Sequence, residues 1–135
     1  MKETFTYKEI LEAVQASNHL TMMPAPPKTA YRLAKLVNKL RSLSKDIDKN
    51  RFELYKIWGH EKTPGKGDYA VPEDKMPDFL KELDTFLGGS IEIEFHPIVC
   101  NQFEKLPAEA IIGMGKFMVE QELIDTSSPI KNLIH

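Results

Sequence analysis

Leu33, Leu36, Leu40, Leu43, Ile47, Asn50, Leu54 and Ile57 follow one another at alternating intervals of three and four residues, and this spacing constrains the chain more than any other feature. Residues so spaced share one stripe of an α-helix, and a sustained apolar stripe needs a covering surface. Neither Gly nor Pro falls between Lys28 and Trp58. The spacing therefore predicts one helix over about 28–58, roughly 45 Å long at 1.5 Å per residue. Asn50 is the single polar member of the seam, a type of residue that fixes register at some cost in stability. Tyr55 and Trp58 lie beside the seam and widen its apolar face.

Local chemistry predicts the other elements. Thr6 and Glu9 have capping-box spacing, with Phe5 and Ile10 at the positions of a hydrophobic staple. They start a helix over 7 to 16 or 17, with Ile10, Leu11 and Val14 inward. Pro24, Pro26 and Pro27 hold the next segment extended and lead into the long helix. After Gly59, Pro64, Gly65 and Gly67 mark a polar loop. Met76, Phe79, Leu80, Leu83, Phe86 and Leu87 form the stripe of a shorter helix, placed over 78–87 and closed by Gly88 and Gly89. Ile91, Ile93 and Phe95 alternate with Glu92, Glu94 and His96, the pattern of a half-buried strand. Its expected partner is 69–71, in a minimal two-stranded β-ribbon. Asn101 and Glu104 repeat the capping-box spacing over one turn. A last helix runs from Leu106 and Pro107 to about Leu123, weakened by Gly113 and Gly115 unless these admit another backbone.

The expected fold is mainly α (α+β). A long helix packs antiparallel on the 78–87 helix, with additional N- and C-terminal helices and the ribbon. At 135 residues this is one helical domain over 1–125 and a tail over 126–135.

Charge is unevenly spread. From Lys28 to Lys62 there are ten Lys or Arg against four Asp or Glu, and from Asp68 to Asp125 four against thirteen. Lys28, Arg32, Lys35 and Lys39 share one helical face, which suits phosphates or an acidic partner. The plain alternative is a solvated stripe, or pairing with the acidic half of the same molecule. This face is read as free of interleaved aromatic rings, so single-strand stacking is not expected. The net charge of -2 points to neither nucleic acid nor membrane. No apolar run reaches the roughly 20 residues of a membrane span. The single cysteine, Cys100, fits a reducing compartment.

Reactive side chains are few and scattered. Glu92, Glu94 and His96 on one strand face are a candidate metal trio, set against an ordinary polar strand face. His60 and Glu61 begin like a zinc-protease motif without its second histidine, and His19 and His135 recruit no partner. Gly65, Lys66 and Gly67 resemble part of a phosphate loop but lack its ending, so a turn is expected. Asp46 and Asp48 do not share a helix face. Cys100 follows His96 by four residues without a third group to orient the pair. No catalytic residue, metal, cofactor or small-molecule substrate is identified.

Several pieces together carry a resemblance. The K-T-A-x-x-L-A-K-L helix opening at 28–36, the tyrosine-to-tryptophan-glycine exit at 55–59 and the P-E-x-x-x-x-x-F-x-K-E-L-x-x-x-L run within 71–87 are the first three. The I-E-I-E-F strand at 91–95 and an L-P-A-E-x-I piece at 106–111 follow. The chain resembles small uncharacterised proteins encoded by tailed bacteriophages and prophages. The resemblance implies a phage setting, in host cytoplasm or virion, and carries no catalytic residues. With a seam longer than the helices available to cover it, the expectation is a non-enzymatic protein-interaction module. Leu33, Leu36, Leu40, Leu43, Ile47, Leu54, Ile57 and Trp58 would then meet a protein partner or a second copy. It would serve as a virion or assembly component, or as a small factor binding a host protein. The alternative is a nucleic-acid-binding accessory protein using Lys28, Arg32, Lys35 and Lys39.

Overall fold

A computed structural model describes residues 1–120. The fold is mainly α with small β pairings. The tail over 126–135, His135 included, lies outside the described residues.

The chain opens with a strand that the sequence reading left out. β1 (Lys2–Thr6) lies antiparallel to β4 (Ser90–Glu94), with Phe5 opposite Ile91 and Lys2 opposite Glu94. This corrects the expected pairing of the Ile91 strand with 69–71. β1 offers a five-residue ladder, whereas the Tyr69 strand has only two residues and pairs locally.

Thr6 ends β1 and caps α1 (Tyr7–Leu20). Its hydroxyl accepts the Glu9 amide at 3.1 Å, and the Glu9 carboxylate accepts the Thr6 amide at 2.9 Å. Two otherwise orphaned donors are thereby satisfied. Phe5 and Ile10 are both buried, as a staple requires. α1 continues past the expected end at 16 or 17. Ser17 is fully buried and donates its hydroxyl to the Val14 carbonyl at 2.8 Å, so its polar group needs no exit from the helix.

α2 (Pro27–Trp58) has 32 residues, about 48 Å at 1.5 Å each. Pro27 at its first turn gives up an amide that has no intrahelical partner anyway. α1 is the main cover of the seam. Leu33, Leu36, Leu40 and Ile47 are buried, Leu43 is half-buried, and Val37 widens the stripe. The seam, read as longer than the helices available to cover it and as packed on the 78–87 helix, is covered over its first half by α1. Asn50, expected to set register within the seam, is instead exposed, at the rim of a hollow shared with Tyr7, Ile10 and Ile47.

Gly59 ends α2. A Cβ there would lie 2.7 Å from the carbonyl oxygens of both Ala70 and Tyr55, so only glycine lets the chain turn this closely into β2 (His60–Glu61). β2 pairs with β3 (Tyr69–Ala70), His60 opposite Ala70. Glu61 ties the loop shut, accepting from the Gly65 amide at 2.7 Å and the Tyr69 hydroxyl at 3.2 Å. Gly65 and Gly67 have φ of 81° and 71°, the left-handed region that favours glycine. The expected turn is what this segment forms.

α3 (Met76–Leu87) begins two residues before the expected start, with Pro77 inside its first turn. It meets α2 near that helix's end, where Tyr55 and Phe79 rings lie 4.8 Å apart and the Trp58 indole donates to Glu82 at 2.5 Å. Phe86, near the other end of α3, meets Tyr7 at 5.4 Å.

The C-terminal part departs most from expectation. β5 (Ile98–Val99) is followed by a 3-10 turn at Cys100–Gln102 with no side-chain cap, in place of the capping box read at Asn101 and Glu104. α4 (Ala108–Met114) is one short helix, not a helix to Leu123. Gly115, at φ 51°, stops it. A 3-10 turn over Gly115–Phe117 and β6 (Met118–Val119) follow, with β6 parallel to β5. Phe117 enters the core, stacked on Phe5 at 4.0 Å and edge-on to Phe95 at 5.0 Å. α1 thus packs against both α2 and α4.

Candidate functional site

The two functional readings of α2 separate in space. The basic face lies in the helix's first half, where the chain's own elements build a cleft against it. The residual apolar surface lies at its far end.

The cleft has a volume of about 320 Å³. One wall is α2, contributing Arg32, Lys35 and Lys39 around Leu36. The other is the end of β4 and the residues after it, Glu94, Phe95 and His96, with Met1 alongside. The β1–β4 ladder brings this wall into place. Phe95 donates its amide to the Met1 carbonyl at 2.9 Å, and the Met1 nitrogen donates to the Phe95 carbonyl at 3.1 Å. Lys39 spans the gap, its ammonium donating to the Glu94 carbonyl at 2.7 Å. Leu36 and Phe95 are 4% and 7% exposed, so the floor is apolar while the rim is charged.

Three of the four basic residues and two of the three metal candidates therefore meet in one place. Lys28 and Glu92 do not line it. Glu92 stands opposite Thr4 in the ladder and Glu94 opposite Lys2, while His96 lies beyond the strand's end. Among the described residues no cluster of three His, Cys, Asp or Glu side chains is placed to hold a metal ion. The trio read from the strand therefore does not assemble as a metal site. Lys and Arg opposite Glu94 make the cleft a poor cation site in any case, because like charges raise the energy of a bound cation.

One residue was missed on this face. Tyr31 is 65% exposed, and the Lys35 ammonium lies 5.5 Å from its ring centroid. An aromatic ring therefore does accompany the basic residues. The signal was legible, since Tyr31 falls between Lys28 and Arg32 and is three residues from Lys28.

At the far end of α2 the seam loses its cover. Leu54 is half-buried, Trp58 is held by Glu82, and Ile57 is 71% exposed. α3 leaves Leu80 48% exposed. On α4, Ile111 and Ile112 also face outward, at 46% and 76%.

The remaining candidates take structural places. Cys100, half-buried, opens the 3-10 turn. His60 is an edge residue of the β2–β3 hairpin. Asp48 pairs with Arg51 on the helix surface at 2.5 Å. Tyr69 titrates above its ordinary 10.0, because of desolvation first, then its hydrogen bond to Glu61 and that carboxylate's charge. Among the described residues no helix is long and apolar enough to cross a membrane. Compared with protein-family models, with curated proteins and with solved structures, the chain matches none.

Proposed function

We propose that this protein is a non-enzymatic protein-interaction module of a tailed phage or prophage, working in host cytoplasm or virion. It acts as a virion or assembly component, or as a small factor that binds a host protein. The observation that carries the reading is Ile57. It continues a seam whose earlier members, Leu33 to Ile47, are mostly 5% exposed or less, yet it is itself 71% exposed. A β-branched apolar side chain at the end of a long helix, with Leu54 before it and exposed Leu80 on α3, is surface that a partner or second copy can bury. In this reading α3 is the antiparallel companion of the last turns of α2, and the two helices present that surface together.

Light scattering across concentration and salt, on wild type and Ile57→Asp, tests the proposal. Association that grows with concentration and is lost in the variant supports self-assembly. If wild type stays monomeric, Ile57-dependent retention of one defined protein from infected host lysate supports the host-factor role. A monomer that retains nothing in an Ile57-dependent way overturns both.

A second reading is favoured by Tyr31. Its exposed ring beside Lys35 adds a stacking surface to Lys28, Arg32, Lys35 and Lys39. A nucleic-acid-binding accessory protein would bind single strands with an affinity that falls steeply with salt and with Tyr31→Ala. Salt-independent or Tyr31-independent binding excludes it.

A further inference from the structure

We propose that the hollow beside the middle of α2 receives one arginine side chain of a partner protein, whose helix then lies along α2 as far as Ile57. This rests on the protein-interaction reading and names what such a partner carries.

The hollow continues the open part of the seam. Leu43, Asn50 and Ile57 follow one another at intervals of seven residues, so they fall on one face of α2. Leu43 and Asn50 line the hollow, and Ile57, 71% exposed, lies beyond it on that face. Asp46 also lines the hollow and precedes Ile57 by eleven residues, about three turns and roughly 16 Å of helix. One partner helix can reach both.

Size and chemistry set what enters. A volume of about 210 Å³ falls below the usual range of small-molecule sites. It equals roughly seven water volumes at ~30 Å³ each, the scale of one long side chain. Ile10 and Ile47, 0% and 5% exposed, give it an apolar floor, which suits the methylene stem of an arginine. Asp46, Asn50 and Tyr7 are its polar side chains, and each has an oxygen that can accept a hydrogen bond. Among the described residues none bonds to the Asp46 carboxylate, its α2 neighbours Lys45 and Lys49 included. A guanidinium only donates, pairs bidentately with a carboxylate and is more weakly hydrated than an ammonium.

The hollow is held in shape by the fold. Tyr7 donates its amide to the Gly89 carbonyl at 2.9 Å, and its ring lies 5.4 Å from that of Phe86. A Cβ on Gly89 would come within 2.8 Å of the Tyr7 Cε2, so glycine there makes room for the ring.

The arginine comes from another protein. This chain has three. Arg41 donates to Asn18 at 2.9 Å, Arg51 donates to Asp48 at 2.5 Å, and Arg32 also has a partner. Supplying the arginine from a second copy would break one of these contacts.

The probe is an alanine- and glutamine-based helical peptide with one arginine and one leucine at the Asp46-to-Ile57 spacing, made in both orders. Its counterpart carries citrulline, which keeps the shape of arginine and loses the charge. Binding is followed by amide NMR shifts on the intact chain. One order of the arginine peptide should saturate with Kd on the order of 1 mM, moving the amides of Tyr7, Ile47, Asn50 and Ile91. Citrulline should weaken binding about tenfold, the scale of one charge-assisted hydrogen bond, and lysine severalfold. Asp46→Asn should abolish the preference for arginine and leave the affinity of the citrulline peptide as it was. A folding defect cannot produce that pattern, because it would weaken both peptides. No saturable shift with either order, equal binding of arginine and citrulline, or a preference that survives Asp46→Asn overturns the proposal. Ile57→Asp separates its failure from that of the interaction surface. Binding that depends on Ile57 but not on arginine ends the proposal and leaves the surface standing. An arginine preference indifferent to Ile57 upholds the hollow and overturns the surface.

Discussion

A Cβ built on Gly113 would lie 2.6 Å from the Ala16 Cβ and 3.3 Å from the Glu12 carbonyl, so α1 and α4 touch backbone to backbone. Gly113→Ala should overpack this contact and lower unfolding free energy by about 1–3 kcal/mol. Urea denaturation measures it. The double variant with Ala16→Gly should recover part of the loss, since the two sites share one space. Additive losses would show that the contact is looser than described.

The capping box at Thr6 and Glu9 joins β1 to α1, so a fault there reaches two elements. Thr6→Ala should cost about 1 kcal/mol, within a range of about 0.5–2 for such caps. Thr6→Ser should be nearly silent. Equal effects of the two substitutions, read from thermal unfolding, would show that the hydroxyl is not the active part.

Two seam residues should respond in opposite ways. Leu40 is fully buried and Ile57 is 71% exposed. Leu40→Ala should destabilise by about 2–5 kcal/mol through lost transfer energy and a residual cavity. Ile57→Asp should stay within about 0.5 kcal/mol while abolishing association. Chemical denaturation and light scattering on the same samples separate the two. A large stability loss at Ile57 would mean that it is core.

Tyr69 makes the β2–β3 hairpin sensitive to alkali. Its folded pKa stands above 10.0, chiefly through desolvation and then Glu61, so the fold favours the neutral phenol. That contribution is complete below the unfolded value near 10 and is lost as pH rises through the folded one. Ultraviolet titration should show one tyrosine ionising later than the rest, and Tyr69→Phe should remove that late step. A late step that persists in the variant would be assigned to another tyrosine.

The elements legible in the sequence were those specified by neighbours along the chain. The Thr6 cap, the Leu33 to Ile57 spacing and the Gly65 and Gly67 turn each rest on contacts within a few residues, and each predicted element is present. Boundaries slipped where a buried group changed the balance, as at Ser17, whose hydroxyl found the Val14 carbonyl and let α1 run on to Leu20. β1 was missed because its alternation is brief, with Phe5 its one buried residue. A strand so short exists only because β4 lies beside it.

By itself, then, the sequence determined a long amphipathic helix, its capped companion and a basic face, since periodicity and local hydrogen bonding act over a few residues. Tertiary structure decided which strand Ile91 and Ile93 would pair with, where α4 would stop, and which half of the seam α1 would cover. It also decided that Arg32, Lys35 and Lys39 would face Glu94 and His96 across a cleft. Those outcomes depend on competition among distant surfaces for the same partner, and free energies of that kind are not written in any one stretch of chain. That competition left Ile57 exposed at the far end of the same helix whose first half lines the cleft.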